Sequence, residues 1–239
     1  PAAKSKQARA CRRLWRVKHG DAWLNQYQGA RASVTYSEGH LYLQNAHGRV
    51  ACFVAETGRE VWAANILERF RSENITWGIA ECLAVDQHAV YATPGGPETL
   101  LVALDKKSGE LLWKTAPLFG EDWKPEGPGY AAPVVVTFSG RRLLIGASSK
   151  SLFCVDLESR AVQWSRPRPT SYSVLAMSPV VVGEGIFMTA PFGPPGELLR
   201  LLAPTSPGGK IGIEPVWTTK LDTAQGGVVH ADGRLYGSY

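Results

Sequence analysis

The sequence predicts an all-β protein, a β-propeller of four-stranded blades, and three observations carry that prediction. Tryptophan recurs at near-constant spacing: Trp15, Trp62, Trp113, Trp164 and Trp217 follow one another at intervals of 47, 51, 51 and 53 residues. The context of each Trp repeats. "ACFVAETGREVWAA", "LVALDKKSGELLWKT" and "LFCVDLESRAVQWSR" each read as an apolar strand, a polar turn and a strand whose Trp comes four residues after Gly58, Gly109 or Arg160. The segments ahead of these hairpins, "ECLAVDQHAVYA", "AAPVVVTFSGRRLLIGA" and "MSPVVVGEGIFMTA", repeat a second strand–turn–strand pair. Four short strands in about 50 residues is the period of a propeller blade.

Each element has a local reason. The Trp is a wedge whose large flat surface fills the space between neighbouring sheets. Asp105 and Asp156, eight residues before their Trp, and Gly58 and Gly109 shape the tight turn between third and fourth strands. Val54 holds the Asp slot in the first copy, and the fourth copy has a longer turn. Copy one places strands at 32–36, 40–44, 50–55 and 59–63, and copy two at 81–86, 88–93, 99–104 and 110–114. Copy three uses 132–137, 141–146, 151–156 and 161–165, and copy four 176–182, 185–190, 197–203 and 214–219. Trp15, within Leu14–Lys18, is expected in the last strand of an earlier copy, and 226–239 reads as the opening strand pair of a later one. The expected organisation is a basic flank at 1–13 and a propeller arc at 14–239. Its blades are at 25–66, 76–117, 128–168 and 172–221, with a partial blade at 226–239. Four complete copies and two partial ones suggest an arc of a seven- or eight-bladed ring. Its open faces would be covered by the remaining blades or by a second copy.

Composition agrees. Of 239 residues, 25 are Gly and 16 Pro, scattered along the chain, which suits many turns and argues against long helices. The net charge of +5 is concentrated in "KSKQARACRRLWRVK" and reads as a solvated basic tail. There is no basic stripe with interleaved aromatics, so nucleic acid is not an expected partner. No stretch approaches the ~18 apolar residues of a membrane span. No apolar region follows the basic start, but the chain begins at Pro1, so this says little about compartment.

An apolar strand followed by D-x-x-S/T-G-x-x-x-W resembles the repeat of the PQQ-like, quinoprotein-type β-propellers. "ALDKKSGELLW" matches in full, "CVDLESRAVQW" has Arg160 in place of Gly, and "FVAETGREVW" lacks the Asp. "WGIAECLAV", "TPGGPETLLVALDKKSGELLWK", "AAPVVV" and "GGVVHADGRLYG" are similar to a bacterial subgroup described as outer-membrane-assembly-like or polyvinyl-alcohol-dehydrogenase-like. The resemblance implies a periplasmic or otherwise exported protein. Its leading implication is a non-catalytic scaffold that binds a protein or polymer through loops and blade edges. The alternative is a PQQ- and calcium-dependent oxidoreductase acting on alcohols. Enzymes of that kind hold PQQ and Ca²⁺ near the ring axis, commonly under a disulfide of adjacent cysteines. This chain has no Cys-Cys pair and no close set of Asp, Glu and Asn oxygens. No cofactor is therefore expected within it, and under the alternative most ligands would lie outside it. The hairpin motif fits this repeat better than the kelch repeat, whose period is similar.

Candidate site residues follow from blade geometry, because first strands line the central channel. Tyr27, Trp77, Tyr130 and Tyr172 lie just before or at those strands. They read either as a stacking surface for a flat cofactor or apolar chain, or as rings capping the packing between blades. Arg31 and Glu81 share a repeat slot with Ala131 and Met177, which suggests an ion pair near the axis. His230 falls on an innermost strand, whereas His19, His40, His47 and His88 sit in turns or in the N-terminal flank. Cys52 and Cys154 share a slot with Ala103, and Cys82 with Ala132 and Ser178; all are expected to be small core positions. Cys11 has no repeat partner, and without C-x-x-C no metal site is expected. "TPGGPET" and "APFGPPGEL" read as turns, and "FGEDWKPEGPGY", with Trp123 outside the repeat, as a loop for partner contact.

Overall fold

The computed structural model describes residues 12–223 and 227–237. Strands β1 (Thr35–Ser37), β2 (His40–Gln44), β3 (Arg49–Val54) and β4 (Glu60–Asn65) form the first sheet, followed by a single helical turn, α1 (Ile66–Arg69). The second sheet is β5 (Ala84–Val85), β6 (Ala89–Ala92), β7 (Val102–Asp105) and β8 (Leu111–Lys114). The third is β9 (Val134–Phe138), β10 (Arg141–Ala147), β11 (Ser151–Asp156) and β12 (Ala161–Pro167). The fourth is β13 (Val180–Val182), β14 (Gly185–Met188), β15 (Gly196–Leu202) and β16 (Gly212–Thr219). A two-stranded pair, β17 (Val229–Ala231) and β18 (Arg234–Tyr236), ends the series. Each sheet is an antiparallel meander with neighbours in chain order, the blade of a β-propeller.

The core lies between blades. Tyr42, Val50 and Cys52 of the first sheet pack with Leu83, Val90 and Leu104 of the second. Ala89, Leu101 and Ala103 of the second blade meet Leu144, Phe153 and Val155 of the third. Leu143, Ile145 and Cys154 meet Ile186, Leu199 and Leu201 in the same way. The third strand of a blade is thus covered on both faces and reads as a near-continuous apolar run, as in "RVACFV" and "SLFCVD". No blade could bury these faces alone.

The Trp repeat has a specific geometry. Trp62 pairs across the ladder with Cys52, Trp113 with Ala103, Trp164 with Cys154 and Trp217 with Leu198. In all four blades the register shifts immediately beside that pair, a β-bulge that leaves the residue before Trp unpaired. In the first three blades a small partner gives the indole room, and Cys52 and Cys154 fill that place as buried free thiols. The ring then crosses to the next blade. Trp62 donates its indole N–H to the Lys106 carbonyl at 3.0 Å, and a Cβ added at Gly109 would lie 2.5 Å from its ring. Trp15 donates to the Ala55 carbonyl at 2.9 Å and covers Gly58 in the same way. Both acceptors lie three residues before a glycine held at φ 72° or 74°. Asp105 stabilises its turn by accepting from the Lys107 and Ser108 amides, and Asp156 does so from Glu158 and Ser159.

Arg160 adopts the left-handed conformation of the glycine it replaces, φ 61°, but brings a Cβ. Among the described residues Trp113 makes no matching indole hydrogen bond, and it packs on Tyr91 at 5.9 Å. A polar tie joins blades two and three: Asp86 accepts from the Tyr91 hydroxyl and from Arg142, both at 2.7 Å. Further on, the buried Trp164 indole nitrogen has no partner among the described residues, and Trp217 is 42% exposed.

Two expectations need correction. Leu14–Lys18 forms no strand. The segment instead lies across the first blade, with Trp15 on the Gly58 turn, His19 against Phe53 at 5.6 Å and Trp23 against His47 at 5.4 Å. The innermost strands also begin two to four residues later than expected. The residues ahead of them spend backbone hydrogen bonds on the next blade: the Ser33 amide donates to Cys82 Sγ at 3.2 Å and the Ala132 amide to Ser178 Oγ at 3.1 Å. The flank at 1–13 and Cys11 fall almost wholly outside the described residues.

Gly109→Ala is expected to destabilise by about 2 kcal/mol or more, because it adds left-handed strain to a clash with the buried Trp62 ring. Arg160→Gly removes such strain and should stabilise by about 1 kcal/mol, a rise of ~2–4 °C in melting midpoint. Thermal unfolding of the two variants beside the parent chain checks both signs.

Candidate functional site

The segments ahead of the innermost strands converge from four blades. Ala30 and Arg31, Ala80 and Cys82, Tyr130 and Ala132, and Val174, Ala176 and Ser178 line a cleft of about 670 Å³. Tyr27, Trp77, Tyr172, Pro191 and Phe192 complete it. Extended backbone sends alternate side chains to opposite faces. Small residues and Tyr130 therefore face the cleft, while Glu81, Ala131 and Met177 between them are buried in the blades.

The aromatic residues expected at the channel mouth come together here. Trp77 and Tyr130 lie 6.2 Å apart between ring centroids, and Tyr172 meets Phe192 edge-on at 5.5 Å. Tyr27, Tyr172 and Phe192 are 74%, 60% and 60% exposed, so the rings remain available at the rim. Tyr27, Ser173 and Phe192 hold φ of 57°, 55° and 56°, strained values that the surrounding contacts must maintain. Phe192 accepts two hydrogen bonds at its carbonyl, from the Ser171 amide and hydroxyl. Its loop, "APFGPPGEL", is tied down by buried Arg168, which donates to the Pro195 carbonyl at 2.7 Å and to Glu197 at 3.0 Å. Phe192 and Pro191 were not visible as site residues in the sequence, where this loop reads only as a turn. Cys82, expected in the core, is half-buried and lines the cleft. The alternation of small residues in "IAECLA" and "VLAMSP" is the signal that would have placed it.

Among the described residues, Arg31 is the sole charged one in the lining. One guanidinium nitrogen donates to the Gln26 carbonyl at 2.9 Å, and the group sits 5.7 Å above the Trp23 ring. The expected pair with Glu81 does not form. Glu81 points away from the cleft and accepts from the Thr93 amide at 2.9 Å and the Thr93 hydroxyl at 2.8 Å. Arg31 departs from the alternation in a segment where Tyr27 and Gly29 are both left-handed. Burial raises the Glu81 carboxyl to about 7, against the lowering effect of Thr93. Burial also pushes the Tyr130 phenol above its ordinary value, with the Trp77 backbone and Arg31 opposing. His230 lies on β17 opposite Leu235, outside the cleft.

A second hollow of about 530 Å³ lies beside the Phe119–Tyr130 loop, between Phe119, Asp122, Lys150 and Pro167. Trp123, 86% exposed at φ 56°, projects from that loop. Among the described residues no three His, Cys, Asp or Glu side chains are placed to hold a metal ion. The cleft presents aromatic faces and one cation, but Trp77 and Tyr130 are tilted and in contact with each other, so no parallel slot for a flat ring lies between them. The cleft does not fit calcium, since its lining has no Asp, Glu, Asn or Gln oxygen.

Four-stranded blades, Trp residues at their junctions and a cleft lined from four consecutive blades define a β-propeller of the PQQ-like class. The chain belongs to the family described as outer membrane protein assembly factor BamB, which it matches over residues 6–238. BamB from Moraxella catarrhalis shares the fold with a TM-score of 0.52 at 15% identity, over 85% of this chain and 67% of that one. A 1-butanol dehydrogenase (quinone) from Thauera butanivorans is 28% identical over 154 residues, 59% of this chain. The chain spans 23% of that relative's length.

Glu81 yields a pH prediction. Its folded value, about 7, lies above the ordinary 4.5, so the folded state binds the extra proton between those limits. Stability should fall as pH rises from about 4.5 to 7 and then level off. Glu81→Gln should flatten that decline and stabilise the protein at pH 8 by an amount on the order of 2–3 kcal/mol. Denaturant unfolding at pH 5 and pH 8 reads the difference.

Proposed function

We propose that this propeller is a non-catalytic scaffold that holds an apolar segment of a protein or polymer in the channel-mouth cleft. The carrying observation is the aromatic surface drawn from four consecutive blades, with small residues between the rings. Aromatic side chains provide much contact area for little lost freedom, which suits recognition of extended chains. The exposed Trp123 loop and the blade edges are further contact surfaces. Val229 and Tyr236, paired and exposed on β17 and β18, would be covered by further blades of the same ring or by a second copy. The family points to a periplasmic or otherwise exported setting.

A second reading, a quinoprotein oxidoreductase, draws on the butanol dehydrogenase relative and on the ring-lined cleft. There Arg31 would meet a carboxylate of PQQ, while calcium would need ligands from outside the lining. PQQ, when bound, would supply the redox chemistry.

Titration with an extended leucine–tyrosine peptide, in parallel with PQQ and Ca²⁺, separates the readings. The scaffold predicts saturable peptide binding that weakens about fivefold or more in Tyr172→Ala. Tight PQQ binding that excludes the peptide would overturn it.

A further inference from the structure

We propose that Arg31 makes the cleft selective for polypeptide segments that carry a carboxylate beside their apolar side chains; this rests on the scaffold reading. Among the described residues the cleft lining has one positive charge and no negative one. Arg31 takes part in no ion pair among the described residues, although most of the other arginines in the folded blades do. Its geometry is set before any ligand arrives. The Gln26 carbonyl holds one terminal nitrogen and the guanidinium lies 5.7 Å over the Trp23 ring, and among the described residues the other terminal nitrogen has no protein acceptor. Its Nε is buried and also lacks an acceptor. A cation held in this way, against apolar walls that weaken solvent screening, favours an incoming carboxylate. It penalises a lysine or arginine at the same place.

The extent of the aromatic surface favours a polypeptide as the source of that carboxylate. The rings run from Tyr27 on the first blade, through Trp77 and Tyr130, to Tyr172 and Phe192 on the fourth. A single flat ring system would leave the exposed rim residues Tyr27, Tyr172 and Phe192 uncovered. An extended segment can set successive apolar side chains along the trough and one Asp or Glu against Arg31.

Two peptides that differ at one atom test the proposal on the full chain: acetyl-Leu-Tyr-Glu-Tyr-Leu-amide and its Gln counterpart, titrated by calorimetry. The expected result is that the Glu peptide binds about tenfold more tightly, with an advantage that shrinks as salt rises from 50 to 500 mM. In Arg31→Gln the Glu peptide should fall to the affinity of the Gln peptide, while Arg31→Lys should keep part of the preference. Equal binding of both peptides to the parent chain would overturn the selectivity and leave the scaffold reading standing. Failure of both to bind would overturn the two together. Displacement of the Glu peptide by PQQ at lower concentration would assign Arg31 to a cofactor and overturn the proposal.

Discussion

The structure depends on burial between neighbouring sheets, and at Trp15 and Trp62 that burial includes an indole laid across a glycine turn. Each four-stranded sheet is too small to bury its own faces, so stability resides in the contacts between sheets. The indole contributes a broad apolar surface and a directed N–H. The glycine removes the Cβ that would keep the ring away, and its left-handed φ exposes the carbonyl three residues earlier as acceptor. The bulge before each Trp aims the ring out of its own sheet. Beside Arg160, where the turn has a side chain, the Asp86–Arg142–Tyr91 tie adds polar contacts to the apolar packing between blades two and three.

That dependence explains what was legible in the sequence. Trp spacing, the Asp and Gly of the turns and the strand–turn–strand rhythm are all local, and they place the sheets. The small residues opposite Trp were readable for the same reason, since Cys52, Ala103 and Cys154 hold one offset. The start of each inner strand was not readable. Residues such as Ser33 and Ala132 have strand-like neighbours, but their amides bond to side chains 49 and 46 residues away. Trp15 shows the other limit: its chemistry was evident, but strand formation needs a neighbouring strand.

That Tyr27, Trp77, Tyr130 and Tyr172 would come together was legible because they hold similar places ahead of the innermost strands. The orientation of single residues was less so. Arg31 and Glu81 occupy one slot in the repeat, yet they point to opposite sides, because the left-handed residues before Arg31 rotate its segment relative to the others. Phe192 was hidden for a different reason. Its place depends on buried Arg168 gripping two proline carbonyls, a contact that leaves no periodic trace.

The bulge shared by all four blades bears on the behaviour of the protein in a crowded compartment. The fourth strand of each blade is an outer edge, and a regular edge would offer a row of amides and carbonyls to any other chain. Here each such row is interrupted beside the Trp, and β12 and β16 carry Pro167 and Pro215 as well. An incoming strand would meet a kink and, in two blades, a missing donor. The distortion beside each Trp thus also guards the rim against edge-to-edge aggregation.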